Sequence, residues 1–166
     1  MSTDRNDARL TALEGRVALL EDQFAVTQVV LGYGPAVDSG SDQTAAALWA
    51  QDGSYEFQAD VPGLHGRDAL AAMVRSRGHR HHLERGCAHI LTAPHVVVDG
   101  DSAVATCYSL MHHFVPDTGI FQVSRVSANR WELSRTPQGW QVDRRTNRLL
   151  NGDADARELL ASAAQI

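Results

Sequence analysis

Residues 86–115, GCAHILTAPHVVVDGDSAVATCYSLMHHFV, decide how this chain folds. The stretch is rich in β-branched residues, and Val98-Asp99-Gly100-Asp101 at its middle reads as a tight hairpin turn. A turn centred on residues 99–101 pairs antiparallel partners whose numbers sum to about 200. His89 then faces Met111, and His113 lies on the same face one pair further on. Cys87 and Cys107 fall out of register, so no bond between them is expected. Pro94 cannot donate to a ladder and is read as a bulge, where a one-residue slip would exchange His113 for His112.

The same texture continues. Residues 120–135 and 139–149 read as further strands, joined at Thr136-Pro137-Gln138-Gly139. Upstream the period changes. Leu10, Leu13, Val17, Leu20 and Phe24 recur at three and four residues, the stripe of an amphipathic helix. That stripe spans about two heptads, fewer than a coiled coil needs, so packing on the chain's own sheet is expected over docking on a partner subunit. The pattern continues through Val26, Val29, Val30, Tyr33 and Val37 and stops at Asp38-Ser39-Gly40-Ser41-Asp42. Pro35 inside it predicts a kink near Leu31 to Gly34. A second helix is expected over 43–50, a brief strand over 54–58, a loop over 61–63, and a third helix capped by Asp68 and ending near Arg77. Helices followed by antiparallel strands make an α+β domain. One domain is expected over 1–150, with 151–166 a short helix or frayed tail.

Composition narrows the function. Fifteen basic against 20 acidic residues give a formal charge of -5, without the basic footprint that nucleic acid or an anionic membrane requires. The N-terminal MSTDRNDARL has no apolar core, so no secretory signal is read there. No apolar run is long enough to span a bilayer. A cytoplasmic location is the expectation.

Four groups carry possible chemistry. Asp38 closes a helix where the macrodipole disfavours negative charge. Tyr33 lies five residues earlier, which on an ideal helix points it about 140° away from Asp38, so only a distorted turn would let both face one cavity. Alternation places Arg144 and Arg145 on opposite faces of the last strand, so at most one enters a pocket. His79-Arg80-His81-His82, with His65 upstream, could suggest metal. No carboxylate or cysteine stands at ligand spacing, so surface histidines with no metal are expected, or a loop closing over a pocket mouth.

Residues 16–149 resemble the SnoaL-like branch of the nuclear transport factor 2 superfamily. The resemblance is carried by Tyr33-Gly34-Pro35-Ala36-Val37-Asp38, Leu48-Trp49-Ala50-Gln51-Asp52-Gly53-Ser54-Tyr55, Gly66-Arg67-Asp68-Ala69-Leu70, His89, Val98-Asp99-Gly100-Asp101-Ser102-Ala103 and Gly139-Trp140-Gln141-Val142-Asp143-Arg144-Arg145. It implies a cone-shaped α+β fold, with three N-terminal helices on a strongly curved antiparallel sheet. The functional pattern is similar to that of scytalone dehydratase, bile acid 7α-dehydratase and hexachlorocyclohexane dehydrochlorinase, which use a His–Asp dyad. The matching positions are Asp38 and His89. Tyr33 holds the tyrosine-or-lysine place, Arg145 rather than Arg144 the arginine place, and His113 is nearest to a second histidine. Gly34-Pro35 departs from the pattern.

The resemblance implies a cofactor-independent lyase of the dehydratase type acting on a hydrophobic cyclic or polycyclic small molecule. A polyketide cyclase or isomerase would begin with the same proton abstraction. A different class is a non-catalytic binding or assembly module, expected if Asp38 and His89 lay far apart. A dry cone lined by Trp49, Tyr55, Phe57, Leu91, Tyr108 and Met111, with no metal or organic cofactor, is the expected site. Pairing of subunits through the outer sheet face, as a homodimer or higher oligomer, is implied too.

Overall fold

A computed structural model describes residues 2–58 and 61–162. Its helices are α1 (Ser2–Asp38), α2 (Asp42–Ala47), α3 (Gly66–Arg75), α4 (Arg77–Arg85) and α5 (Ala154–Ala161). Its strands are β1 (Trp49–Glu56), β2 (Leu64–His65), β3 (Cys87–Leu91), β4 (His95–Asp99), β5 (Ser102–Val115), β6 (Ile120–Thr136) and β7 (Gly139–Leu149). They form one curved, unclosed sheet in the order β2-β1-β7-β6-β5-β3, with β4 also on β5. The sheet is mixed rather than wholly antiparallel, because β1 runs parallel to β7. None of the described helices is long and apolar enough to cross a membrane.

The register of the deciding hairpin follows from its turn. His89 pairs with Met111 and Cys87 with His113, while His95 pairs with Thr106 and Asp99 with Ser102. The pairing slips by one residue across 92–94, so Pro94 marks a bulge between β3 and β4. Cys87 and Cys107 are both free thiols.

The concave face of the sheet holds the core. Val26, Val30, Tyr33, Val37, Trp49, Trp131 and Val142 are buried there against α1, α2 and α3. Four features differ from the sequence expectation. The second helix ends at Ala47, and Trp49 already belongs to β1. Asp68 sits in the first turn of α3 rather than at its cap, which is His65. Residues 77–85 form a helix, not a loop, capped by the Ser76 hydroxyl accepting from the His79 amide.

The fourth difference is the largest. Leu10, Leu13, Val17, Leu20 and Phe24 do not pack on the sheet; Leu20 is 64% and Phe24 66% exposed. The face turned to the domain starts at Asp22, which accepts from Arg135 and from the Trp140 indole, and continues through Val26, Val30 and Val37. A single stripe was expected; the helix carries two, on opposite sides.

Candidate functional site

Three elements converge on His89. It lies on β3 opposite Met111, beside the last turns of α1, with its ring stacked on that of His79 from α4. Gly34 explains how β3 comes so near the helix: a Cβ there would stand 2.3 Å from the His89 carbonyl oxygen. Only a glycine permits that approach. The departure from the family pattern at Gly34 is therefore a packing requirement. α1 runs unbroken through Pro35.

Asp38 grips His89 twice. Its Oδ1 lies 2.6 Å from His89 Nδ1, and its Oδ2 accepts the His89 backbone N–H at 2.7 Å. Because a carboxylate accepts, His89 Nδ1 carries the proton, and the Nε2 lone pair is left free. Asp38 is not part of the cavity wall; it holds the ring from behind. The helix therefore needs no distorted turn for both Tyr33 and Asp38 to serve one site.

The cavity next to His89 has a volume of about 210 Å³. Tyr33, Tyr55, Phe57, Leu91, Met111 and Arg145 belong to its wall, together with Met73, His79, His82, Ser109 and Asn147. Three expected site residues stand away from the wall. Tyr108 is 46% exposed, since period two turns it to the face opposite Met111. Trp49 is buried behind Tyr33 and Tyr55, with its indole donating to the Ser54 carbonyl. His113 meets His82, its Nε2 3.1 Å from His82 Nδ1, without itself reaching the wall.

Arg145 is the least ordinary group. It is 2% exposed, yet its guanidinium pairs with no carboxylate among the described residues. Its Nε and Nη2 donate to Asn129 Oδ1 at 3.1 and 2.8 Å, and Asn147 donates to the same oxygen. The rings of Tyr33, Tyr55 and Trp131 surround it at 4.2–4.4 Å, so cation–π attraction replaces much of the lost hydration. Its Nη1 is buried with no partner among the described residues. Arg144, on the other face, pairs with Glu56 near solvent. Burial pushes the Tyr55 hydroxyl well above its ordinary pKa, with the nearby Arg145 charge opposing this in part. Tyr55 therefore stays a neutral donor.

Sequence reasoning missed α4. His79 is buried and donates from Nε2 to the Val37 carbonyl at 2.8 Å, capping the end of α1 and stacking beside His89. His79 and His82 are thus not loose surface histidines, whereas His81 and His65 are exposed as expected. The spacing of three residues between His79 and His82 was the available signal. Asn129 and Asn147 gave none, because an asparagine in a strand looks like a turn residue.

Asp38, Cys87 and His89 bring ligand-type atoms within 4.8 Å of one another. Both Asp38 oxygens already accept from His89, and the Cys87 thiol points at Asp38 Oδ1 at 3.9 Å. Burial first, then the Asp38 charge, raises the Cys87 pKa and keeps the thiol protonated.

With this geometry in place, comparison with known proteins gives the family. The SnoaL-like domain model matches residues 18–146. The chain belongs to the SnoaL-like family. It is similar to an NTF2-like protein with a cystatin-like fold from Novosphingobium aromaticivorans, at 43% identity and a TM-score of 0.86 over 91% of this chain and 96% of that one. It shares its fold with a protein from the same organism put forward as a scytalone dehydratase: 18% identity, TM-score 0.66, 78% and 85% covered. A third likeness is to a protein of the NTF2-like family from Streptomyces avermitilis, put forward as a dehydratase: 20% identity, TM-score 0.63, 80% and 98% covered. No curated protein matches the chain.

Proposed function

We propose that this SnoaL-like protein is a cofactor-independent lyase of the dehydratase type, acting on a hydrophobic cyclic or polycyclic hydroxyketone. The observation that carries the reading is the 2.6 Å contact between Asp38 Oδ1 and His89 Nδ1, with the imidazole forming part of the cavity wall. Asp38 fixes the tautomer and steadies the imidazolium once it forms. His89 Nε2 removes a proton from the carbon next to the substrate carbonyl. The electron pair moves to the carbonyl oxygen as an enolate, towards the unpartnered Arg145 Nη1 and the Tyr33 and Tyr55 hydroxyls. As the pair returns, a double bond forms and the β-hydroxyl leaves with the proton from His89, so one water is released and the base is restored. The fold neighbours put forward as dehydratases are consistent with this chemistry. A cytoplasmic site of action fits the two free thiols.

The first step serves a cyclase or an isomerase equally, so the test begins there. Cyclic β-hydroxyketones are incubated with the protein in D2O and followed by NMR and mass spectrometry. The native chain is expected to exchange the α-proton and release water; His89→Ala should do neither. Exchange with a shifted double bond or a new ring in place of water loss would give the reaction to an isomerase or cyclase. A native chain that binds such ketones but exchanges no proton would hand the fold to the binding-module class.

A further inference from the structure

We propose that the projecting N-terminal half of α1 is a homotypic docking element: over about two heptads, too few to stand as an independent coiled coil, it pairs in parallel with α1 of a second copy of this chain in coiled-coil register. Residues 4–21 of α1 are exposed on every side. Most helical stability in proteins comes from packing an amphipathic face. This half of α1 packs its apolar face on nothing within the chain among the described residues, so it calls for a partner. Leu10, Val17 and Phe24 occupy the a positions of a heptad frame, and Leu13 and Leu20 the d positions; all five are exposed. Leucine at both d positions suits two strands.

The flanking charges choose the occupant and its direction. In the same frame Arg9 and Arg16 are g residues, and Glu14 and Glu21 are e residues, all four exposed. A parallel, in-register pair sets each g residue against the e residue five positions on in its partner. Arg9 then meets Glu14 of the second copy, and Arg16 meets Glu21. An antiparallel pair would set arginine against arginine and glutamate against glutamate. None of these four side chains has an ion pair within the chain among the described residues. The surface thus complements itself under a two-fold axis.

The rest of the molecule leaves room for that axis. Asp22 holds the helix to Arg135 and Trp140, and on an ideal helix this position points about 170° away from the centre of the a/d seam. Two domains would therefore hang on the outer sides of the paired helices, with both cavities clear of the contact.

Sedimentation of the full chain over a concentration series tests the proposal. The native chain should self-associate, and Leu13→Asp/Leu20→Asp should raise the dissociation constant at least tenfold while leaving the melting temperature of the domain unchanged. Glu14→Arg/Glu21→Arg and Arg9→Glu/Arg16→Glu should each weaken association, and mixing the two should restore it as a heterodimer. Leu13→Cys should form a covalent dimer under mild oxidation where the native chain does not. A native chain that sediments like the double aspartate variant overturns the proposal. So does association that persists without the Leu13→Cys cross-link, since that places another surface or an antiparallel pair at the contact.

Discussion

Two histidine pairs border the cavity, and they differ in what stands behind the ring. His89 is held by a carboxylate, 2.6 Å away and also bonded to its backbone amide. His82 is held by another histidine, His113, at 3.1 Å. A carboxylate fixes one tautomer and welcomes the second proton. A histidine partner can donate or accept, and it repels the second proton once it carries one itself. The His82 pKa is accordingly lowered, first by burial and then by His113, His79 and His89. The first pair is suited to taking up a proton during a reaction, the second to staying neutral beside it.

The sharpest way to break the contrast is to remove one ring at a time. His89→Ala should lower α-proton exchange by about 10²–10⁴, the range of a positioned general base. His82→Gln should leave exchange within about threefold. If the two losses were equal, neither pair would be special. Asp38→Asn probes the carboxylate alone. It should cost no more than loss of the ring it orients, about 10²–10⁴, since Asp38 acts only through His89. ¹⁵N shifts of the His89 ring should move from the Nδ1–H towards the Nε2–H tautomer. An unchanged tautomer would mean that Asp38 positions only the backbone.

Arg145 separates function from stability. Arg145→Met should reduce exchange by about 10²–10³, the typical cost of one oxyanion donor. Its melting temperature should hold or rise, because a buried cation with no carboxylate partner among the described residues is replaced by an apolar chain of similar length. A variant that melts well below the native chain would show that the aromatic cage and Asn129 already repay the charge.

Gly34 tests how the strong pair is assembled. Alanine in a helix interior normally gains about 1 kcal/mol over glycine. Here the added Cβ would meet the His89 carbonyl oxygen at 2.3 Å. Gly34→Ala should therefore cost about 1–3 kcal/mol by chemical denaturation, as overpacking does. A gain would show that β3 can move away from α1 freely.

Much of this arrangement was readable in advance, and the reasons are specific. One turn at 99–101 sets the pairing of β4 and β5, and the side-chain period of two then places His89 opposite Met111; Pro94 locates the slip. The same period assigns Tyr108 and Met111 to opposite faces, so Tyr108 did not belong with the wall residues. Other features had little or no apolar periodicity. The sequence of α4 is mostly arginine and histidine, with Leu83 its one large apolar residue, and its helical face became apparent only where His79 meets the end of α1. The two apolar stripes of α1 run in series along one sequence and differ only by a change of face near Asp22. Gly34 looked like a helix defect because its reason lies on a strand more than fifty residues away.

The smallest effect concerns pH. A lowered folded-state pKa means that the unfolded chain takes up the His82 proton first. The contribution of neutral His82 is thus complete above its ordinary value of 6.5 and is lost as pH falls below it. Melting temperature should decline on acidification below that point, and His82→Gln should flatten the decline without altering the plateau above it. His113→Gln should flatten it as well, since it removes the partner that repels the proton. If only His82→Gln does so, burial alone lowers the pKa, and His113 plays no part in keeping the second pair neutral.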